Sequence, residues 1–406
     1  MESKKVIGIM SGTSLDGVDV SLTEISGKGY DLKVKLLDSA TFSYSKKLRE
    51  ELLKVSDSAT STVDMISTLN FYLGEIFSEC ALYLIQKNDL NSSDIFLIAS
   101  HGQTICHIPK GIKLQGKNIK STLQIGEPSV IAERTGITTV SDFRARDVAA
   151  YGEGAPLTPL PHYIFFHSKK KNRLIINIGG ITNISFLPKN IDPFKITAFD
   201  TGPGNMLIDM AVSLFTRKKH YIDVDGLIAK KGNVNLPLLR TLRSNPFLKR
   251  IPPKSTGREE FGELYLKQLL SKFKKKMPME DFIATLTFFT PFAIKRAVKE
   301  FLPQNIEINE IIVGGGGAKN KTMMWFLKGL FENSKVLNFA EAGADPDFFE
   351  AEAFALLGYL TAVGLNGNIP SATGAHKGRI LGKIIPGKNF TELIDAMKHN
   401  HGLNLK

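Results

Sequence analysis

Glycine-rich turns that follow short apolar segments constrain the fold of this 406-residue chain more than any other feature. The turns lie at 11–17, where the sequence reads SGTSLDG, at 179–180, and at 314–317, where four glycines are consecutive. Glycine lets the backbone approach a ligand closely, and the exposed amides of such turns bind anionic oxygens. Together the turns favour a phosphate-binding protein, although a tight turn that needs positive φ explains each of them separately.

Strands and helices alternate along the chain, and the alternation occurs twice. In the first cycle, strands at 5–10 and 18–24 precede an amphipathic helix at 63–84 and a strand at 95–99 that ends in Ser100-His101-Gly102-Gln103. The second cycle begins at Leu174 with strand, paired glycines and strand. We therefore predict an internally duplicated α/β protein with a cleft between two lobes.

The predicted lobes span residues 1–168 and 169–406, because a charged run at 166–172 separates the two cycles. The sequence leaves open whether the C-terminal segment packs back on the first lobe.

The formal net charge of +12 at pH 7 fits either a nucleic-acid or membrane surface or a generally Lys-rich solvated exterior, and it would also attract an anionic nucleotide or acid-sugar substrate. The basic clusters are far apart and lack the aromatic pattern of RNA-binding strands, so we expect no nucleic-acid partner. Cys80 and Cys106 provide no disulfide framework, and the first residues lack the features of a signal peptide. These observations predict a cytoplasmic protein without a membrane segment, and they leave the oligomeric state open, a homodimer included.

Asp200 is the most conspicuous carboxylate of the chain. It follows an apolar strand and precedes Gly202-Pro203-Gly204, at the sheet edge where ligands bind in open α/β folds. It could accept a proton from a hydroxyl or water, or cap the following helix. Asp16 and Asp19 could similarly hold Mg²⁺ through water, or satisfy the amides of their own turn.

The glycine turns match neither the Walker A motif nor the dinucleotide-binding fingerprint, so the sequence supports neither a P-loop kinase nor a dehydrogenase. His101 and His107 are six residues apart, which fits no standard zinc pattern, and we expect hydrogen bonding instead of a metal site.

Two further groups of charged residues are candidates for substrate contacts. Arg144 and Arg146 lie in DFRARD, where they could clamp a carboxylate or phosphate, or form a self-contained salt-bridge network. Glu350 and Glu352 lie on an otherwise apolar helix, and only one of them can face inward comfortably.

Several specific segments are spread over nearly the whole chain. They read, in order, MSGTSLDGVD (10–19), SHGQT (100–104), QIGEP (124–128), DFRARDVAA (142–150), GEGAPLTP (152–159), NIGGITNIS (177–185), FDTGPGNMLID (199–209), PKSTGREEF (253–261), GGGGAKN (314–320), FFEAEAFALL (348–357) and SATGA (371–375). In these segments and their order the chain resembles the anhydro-N-acetylmuramic acid kinases of bacterial cell-wall recycling.

The resemblance implies an actin-like ATPase fold, with two ribonuclease-H-like lobes and ATP in the interlobe cleft. It also implies that 1,6-anhydro-N-acetylmuramic acid is opened by water while the γ-phosphate of ATP passes to the sugar. The products would be N-acetylmuramic acid 6-phosphate and ADP, and Mg²⁺ would accompany ATP.

Carried over residue by residue, the resemblance places the catalytic base on Asp200 and substrate contacts on His101, Arg144 and Glu350. Together with the glycine turns it predicts ATP contacts at Gly12, Thr13, Ser14, Leu15, Asp16, Gly17, Val18, Asp19, Gly179, Gly180, Gly315 and Gly316.

The chain departs from the family pattern at three places. Tyr151 stands where a glycine is usual, and Glu153 stands where glutamine is common. The tail after Pro386 extends past the family's usual end.

The alternatives are a different activity on the same scaffold, such as another sugar kinase or a phosphatase, and a non-catalytic actin-like ATPase. The specific segments argue against the first. The second would not need a carboxylate such as Asp200 at the anomeric carbon of a sugar.

Overall fold

The computed structural model describes residues 3–12, 15–273 and 276–401, with the backbone alone from residue 396. Thr13 and Ser14, two of the predicted ATP contacts, lie outside the described residues. The chain divides into two compact units: Met1–Phe165 with Asp347–Lys406 form the first, and Phe166–Pro346 form the second. The segment from Asp347 onward therefore belongs to the first unit.

Strands and helices alternate through both units. The strands are β1 (Lys4–Ser11), β2 (Gly17–Lys28), β3 (Asp31–Ser43), β4 (Leu97–Leu114), β5 (Lys117–Ile125), β6 (Thr139–Ser141), β7 (Arg173–Ile178), β8 (Ile181–Leu187), β9 (Thr197–Pro203), β10 (Glu310–Gly314), β11 (Lys335–Asn338) and β12 (Lys383–Ile385). The helices are α1 (Lys46–Val55), α2 (Val63–Lys87), α3 (Pro128–Thr135), α4 (Phe143–Ala149), α5 (Pro159–Phe166), α6 (Met206–Phe215), α7 (Leu236–Arg243), α8 (Arg258–Phe261), α9 (Glu263–Phe273), α10 (Met279–Phe301), α11 (Lys321–Leu330), α12 (Phe349–Ala362), α13 (Pro370–Thr373) and α14 (Phe390–His401).

The two sheets repeat one strand order. In the first unit the order is β12-β6-β4-β1-β2-β3, with β5 paired to β4, and in the second it is β11-β10-β7-β8-β9. Each sheet begins with three antiparallel strands, β1 to β3 or β7 to β9, and adds two strands parallel to the first of them. This is the ribonuclease-H-like arrangement, so the predicted fold is confirmed in each unit.

Helix α12 packs directly on β1 in the first unit, and glycines make the close approach possible. A Cβ atom on Gly8 would lie 2.0 Å from the Ala351 carbonyl oxygen, and one on Gly358 would lie 2.5 Å from the Ala99 Cβ. No larger residue fits at either position without moving backbone. Small residues on the helix and on the strands thus allow the two layers to pack closely.

The predicted helix at 63–84 is confirmed as α2, which begins after Thr62, whose hydroxyl accepts a hydrogen bond from the Met65 amide at 3.3 Å. The predicted end of a strand at Ser100-His101-Gly102-Gln103 is wrong. Strand β4 continues to Leu114 because β5 pairs with it, and Gly102 supplies the positive φ of +77° that the irregular ladder requires.

The tail after Pro386 packs on the first unit. The Asn389 side chain accepts hydrogen bonds from the Thr138 amide and hydroxyl, both at 2.8 Å, and donates to the carbonyls of Ile95 at 3.1 Å and Phe96 at 2.9 Å. Leu393 in α14 is fully buried. The tail thus closes the amino-terminal ends of β4 and β6. None of the helices in the described stretches has the length and hydrophobicity needed to cross a membrane.

We expect Asn389→Ala to lower the free energy of unfolding by about 1–3 kcal/mol, because the Thr138 amide and two carbonyls lose their partner. Urea denaturation followed by circular dichroism measures the change. Glu392→Gln is the matched control: it removes only the ion pair with Lys4 at a partly exposed site, worth less than about 1 kcal/mol. Equal, small effects of both variants would contradict a clamping role for Asn389.

Candidate functional site

Three turns of the second unit meet at one edge of its sheet. Strands β7, β9 and β10 run in the same direction, so their carboxyl ends lie together. The Asn205 amide donates to the Gly179 carbonyl at 2.8 Å, and the Gly204 amide donates to the Gly180 carbonyl at 2.9 Å. Gly316 lies near the Asn205 side chain, with a Cβ position 3.5 Å from Nδ2. The glycine turns at 179–180 and 314–317 are therefore neighbours of the Gly202-Pro203-Gly204 turn in the second unit.

The glycines of these turns are required for different reasons. Gly315 has a φ of +78°, and a Cβ atom there would lie 2.5 Å from Asn177 Oδ1. A Cβ atom on Gly204 would lie 2.2 Å from the Gly179 carbonyl oxygen, so packing alone excludes a side chain. At Gly179 the nearest atom to a Cβ would be 3.5 Å away. The space beside Gly179 is thus not filled by other protein atoms, and a phosphate-binding turn needs such open space.

The Asp200 carboxylate is held by the loop that follows residue 253. The Thr256 amide donates to Asp200 Oδ2 at 2.9 Å, and the Asp200 amide donates to the Lys254 carbonyl at 3.1 Å. The alternative of a helix cap is wrong, because Asn205 is the residue that precedes α6. Asp200 is half-buried and fixed by backbone groups, as a carboxylate in a reacting position should be.

Lys254 is a buried cation in the same loop. Only 8% of it is exposed, and its ammonium group lies 5.7, 4.8 and 4.5 Å from the ring centroids of Phe199, Phe247 and Phe301. Burial lowers the pKa of Lys254 to about 8, while the negative charges of Glu300 and Asp200 oppose the shift. The loop therefore supplies two groups to the surroundings of Asp200, the Thr256 amide and the positive charge of Lys254.

A buried polar cluster supports the first glycine turn in the first unit. The Gln103 amide nitrogen donates to the Gly12 carbonyl at 3.1 Å, so its Oε1 accepts from the Ser11 hydroxyl at 2.6 Å. Since Ser11 donates to Gln103, the Tyr44 hydroxyl must donate to Ser11, at 2.7 Å. Burial raises the pKa of Tyr44, so this hydroxyl keeps its proton. The cluster fixes where β1 ends and the turn begins.

Asp16 lies in this turn, and Asp19 follows it in β2. The Thr41 hydroxyl donates to Asp19 Oδ1 at 2.6 Å. Burial raises the pKa of Asp19, Thr41 opposes the shift, and the negative charges of Asp16 and Asp347 add to it. In the described part of the chain no three His, Cys, Asp or Glu residues are placed to hold a metal ion. Mg²⁺ usually takes only one or two carboxylates besides water and phosphate oxygens, and the mutual repulsion of Asp16 and Asp19 fits such a cation.

His101 and Arg144 form a direct pair in the first unit. Arg144 Nε donates to His101 Nε2 at 2.9 Å, so His101 carries its proton on Nδ1 and donates it to the Gly102 carbonyl at 2.7 Å. Burial and the Arg144 charge lower the pKa of His101 to about 3. Both ring nitrogens are occupied, as expected for hydrogen bonding instead of metal ligation. His107 also forms a hydrogen bond, to the Thr122 hydroxyl at 3.1 Å.

Asp147 ties the Arg144 segment to two others. It is fully buried, and its carboxylate accepts hydrogen bonds from the Gly154 amide at 2.8 Å, the Thr373 hydroxyl at 2.7 Å and the Asn368 amide at 2.5 Å. Arg144 Nη1 donates to the Gly154 carbonyl at 2.8 Å.

The alternative of a salt-bridge network within DFRARD is wrong. As far as the structure describes the chain, neither Arg144 nor Arg146 pairs with Asp142 or Asp147, and Asp142 instead pairs with Lys383 at 2.6 Å.

The two helix glutamates differ in exposure. Glu352 is 2% exposed, whereas Glu350 keeps an exposed surface. Desolvation raises the pKa of the Glu350 carboxyl group, the Arg144 guanidinium opposes that shift, and the negative charge of Asp19 adds to it. Glu350 is therefore the member of the pair that a ligand can reach.

The backbone at position 151, where the resemblance predicts glycine, has a conformation that favours glycine. Tyr151 has a φ of +71°, a conformation that side chains rarely adopt. Its ring stacks on His376 at 4.5 Å, and its carbonyl accepts a hydrogen bond from Lys120 at 3.0 Å. At the other departure, the Glu153 amide donates to the Thr373 carbonyl at 2.7 Å, a backbone contact that glutamine would keep.

Sequence reasoning missed the residues that orient the predicted ones. Thr256 and Lys254 fall in the segment PKSTGREEF, Asp147 falls in DFRARD, and Gln103 falls in SHGQT. These segments are among those that carry the family resemblance, which was the available signal. Their roles depend on contacts between distant parts of the chain.

The comparisons with known proteins agree over almost the full length. A profile of one family, anhydro-N-acetylmuramic acid kinase, matches residues 4–387. A protein of that name from Caldanaerobacter subterraneus subsp. tengcongensis is 44% identical over 384 residues, covering 94% of this chain and 97% of its own. Another, from Clostridioides difficile, is 44% identical over 381 residues, covering 94% and 98%. A third, from Francisella tularensis subsp. novicida, is 44% identical over 387 residues, covering 94% and 99%.

Solved structures align more loosely. The activator of 2-hydroxyisocaproyl-CoA dehydratase from Clostridium difficile with bound ADPNP is 13% identical, with a TM-score of 0.42 over 87% of this chain and 94% of that one. At this score the strand order of each sheet, and not the likeness, establishes the fold.

We expect Asp147→Asn to accelerate hydrogen exchange at the Gly154 amide by at least tenfold. The side-chain NH2 group of asparagine can face the Gly154 N–H, and two donors form no hydrogen bond. Hydrogen exchange followed by NMR measures this. Asp142→Asn, at the start of the same helix, is the control and should leave the Gly154 rate unchanged. Unchanged protection in Asp147→Asn would contradict the anchoring role of the carboxylate.

Acid should destabilise the first unit through its buried histidines. Burial lowers the pKa of His162, which is 1% exposed, to about 3 from an ordinary value of 6.5. The unfolded chain therefore binds a proton that the folded chain does not, so the stabilising contribution is complete above pH 6.5 and is lost as the pH falls towards 3. His162→Gln should reduce the slope of unfolding free energy against pH by about 1.4 kcal/mol per pH unit between about pH 6 and 4. Urea titrations at several pH values give the slope, and an unchanged slope would contradict burial of a neutral imidazole.

Proposed function

The chain belongs to the anhydro-N-acetylmuramic acid kinase family, and from that premise we propose how its residues carry out the reaction. It is an ATP-dependent kinase acting on anhydro-N-acetylmuramic acid in cell-wall recycling. We propose that it opens the anhydro bridge with water, with Asp200 as the general base. The observation that supports this assignment is the Asp200 carboxylate, fixed by the Thr256 amide at the edge where the glycine turns meet.

The proposed step balances without a second protein acid. Water attacks the anomeric carbon and gives its proton to the Asp200 carboxylate as the bond from that carbon to the bridging oxygen breaks. The oxygen of the anhydro bridge then bonds to the γ-phosphorus of ATP. At the same time the bond between the γ-phosphorus and the oxygen that leaves with ADP breaks. The products are N-acetylmuramic acid 6-phosphate and ADP.

We assign the ATP phosphates to the glycine turns of each unit, at 12–19, 179–180 and 315–316. Their support is the open face of Gly179 and the left-handed conformation of Gly315, whose Cβ would otherwise meet Asn177 and Ile178. Mg²⁺, when bound, would neutralise phosphate charge, and Asp16 and Asp19 are the residues that would hold it through water.

The sugar contacts are proposed for Arg144, His101 and Glu350. Two donors of the Arg144 guanidinium bind His101 and the Gly154 carbonyl, which orients the group while leaving its other N–H donors for an anionic ligand. The carboxylate of a muramic acid is such a ligand. Glu350, which is exposed beside this cation, is suited to accept hydrogen bonds from sugar hydroxyls.

We also propose a cytoplasmic location, because the enzyme consumes ATP and its cysteines Cys80 and Cys106 are both free. A homodimer is the arrangement to test first, by light scattering of the purified protein with and without ATP.

Asp200→Asn should lower kcat about 10²- to 10⁴-fold with ATP binding largely unchanged, because the amide keeps the shape and removes the base. The measurement is ADP release with anhydro-N-acetylmuramic acid, compared with a panel of ordinary sugars, together with calorimetric binding of ATP. Asp192→Asn, a surface change in the same unit, is the matched control and should keep the parental rate.

Near-parental turnover of folded Asp200→Asn would overturn the base assignment and make Glu350 the next candidate. Equal turnover of ordinary sugars by the parental enzyme would instead favour a less specific sugar kinase.

A further inference from the structure

Asn183 lies directly opposite Asp200 in the second sheet. Strands β8 and β9 are antiparallel, and their register pairs Asn183 with Asp200. Residues paired in this way have side chains on the same face, with Cβ atoms about 4.5–5.5 Å apart. An amide and the proposed base therefore project side by side.

A β-bulge produces this pairing. Thr182 pairs with Gly202 and Asn183 pairs with Asp200, so Thr201 is an extra residue in β9. The Thr201 hydroxyl donates to the Thr182 carbonyl at 3.3 Å, which holds the bulge. Bulges beside active sites commonly redirect a side chain, and here the residue redirected towards Asn183 is Asp200.

The Asn183 amide is available to a ligand. Its flanking residues Thr182 and Ile184 are fully buried, whereas Asn183 is half-buried, on the same face as the half-buried Asp200. Over the parts of the chain that the structure describes, the Asn183 side chain forms no hydrogen bond with the protein. The Asn183 side chain therefore keeps its two N–H donors and its acceptor oxygen for water or a ligand.

We propose that Asn183 positions the water that attacks the sugar, an inference that rests on the proposed role of Asp200. A nucleophilic water has two hydrogens and must direct a lone pair at carbon. The Asp200 carboxylate accepts one hydrogen and later the proton itself, and Asn183 Oδ1 accepts the other. With both hydrogens held, the two lone pairs point away from the two acceptors, so one of them can be directed at the anomeric carbon before the bond forms.

Asn183→Ala should lower kcat about 10- to 100-fold with the KM for ATP and sugar little changed, because only the orientation of water is lost. In an Asp200→Asn background the same change should cost less than about threefold, because the water is no longer activated. Thr197→Ala, which alters the same strand pair on the opposite face, controls for disturbance of the strands and should keep the parental kcat.

Asn183→Asp provides a readout that a structural role would not move. It keeps the acceptor, but a second carboxylate beside Asp200 disfavours the ionised base, so the acid limb of the pH–rate profile should move to higher pH. An unmoved limb, or a loss in Asn183→Ala that is equally large with Asp200 or Asn at position 200, overturns the inference. Recovery of Asn183→Ala at raised Mg²⁺ would also overturn it, in favour of a metal contact.

The single variants separate this inference from the proposed function. If Asp200→Asn turns over at a near-parental rate, Asp200 is not the base, and the role of Asn183 in positioning its water fails with it. If Asp200→Asn is slow but Asn183→Ala turns over at a near-parental rate, the base assignment stands and only the proposed role of Asn183 is overturned. Melting temperatures within about 2 °C of the parent confirm that a loss of rate is not a loss of fold.

Discussion

The common direction of β7, β9 and β10 is the constraint on which the proposed chemistry depends. Because β8 reverses the chain between β7 and β9, and β10 joins β7 in parallel, all three carboxyl ends lie at one edge. Turn residues far apart in the sequence become neighbours there. The edge then needs little more than glycine, for close backbone approach, and one fixed carboxylate to become a site for phosphate and base chemistry.

Local signals predicted much of the fold, and they placed the proposed site residues Asp200 and the glycine turns at the ends of strands. Apolar segments ending in glycine turns marked β1, β7 and β10, and helical spacing marked α2. The prediction was wrong where strand pairing extended an element beyond its local signals. The polar residues Ser100 to Gln103 resemble the end of a strand, but β5 provides a partner that carries β4 on to Leu114.

The residues that orient the site could not be predicted in the same way. Asn183 faces Asp200 only because a bulge at Thr201 shifts the register, and no local pattern specifies a bulge. Thr256 is 56 residues from Asp200 and contributes its backbone amide, a group that every residue but proline possesses. Asp147 is a similar case, because its three donors come from separate segments.

The discontinuity of the first unit has a consequence for biosynthesis. The second unit is one continuous segment, Phe166–Pro346, whereas the first needs α12, β12 and Asn389 from beyond it. During translation the second unit can complete its core while the first still lacks the helix that covers β1. The face of β1 that α12 covers therefore stays uncovered while the whole second unit is synthesised. We expect the nascent chain to be prone to aggregation during this interval.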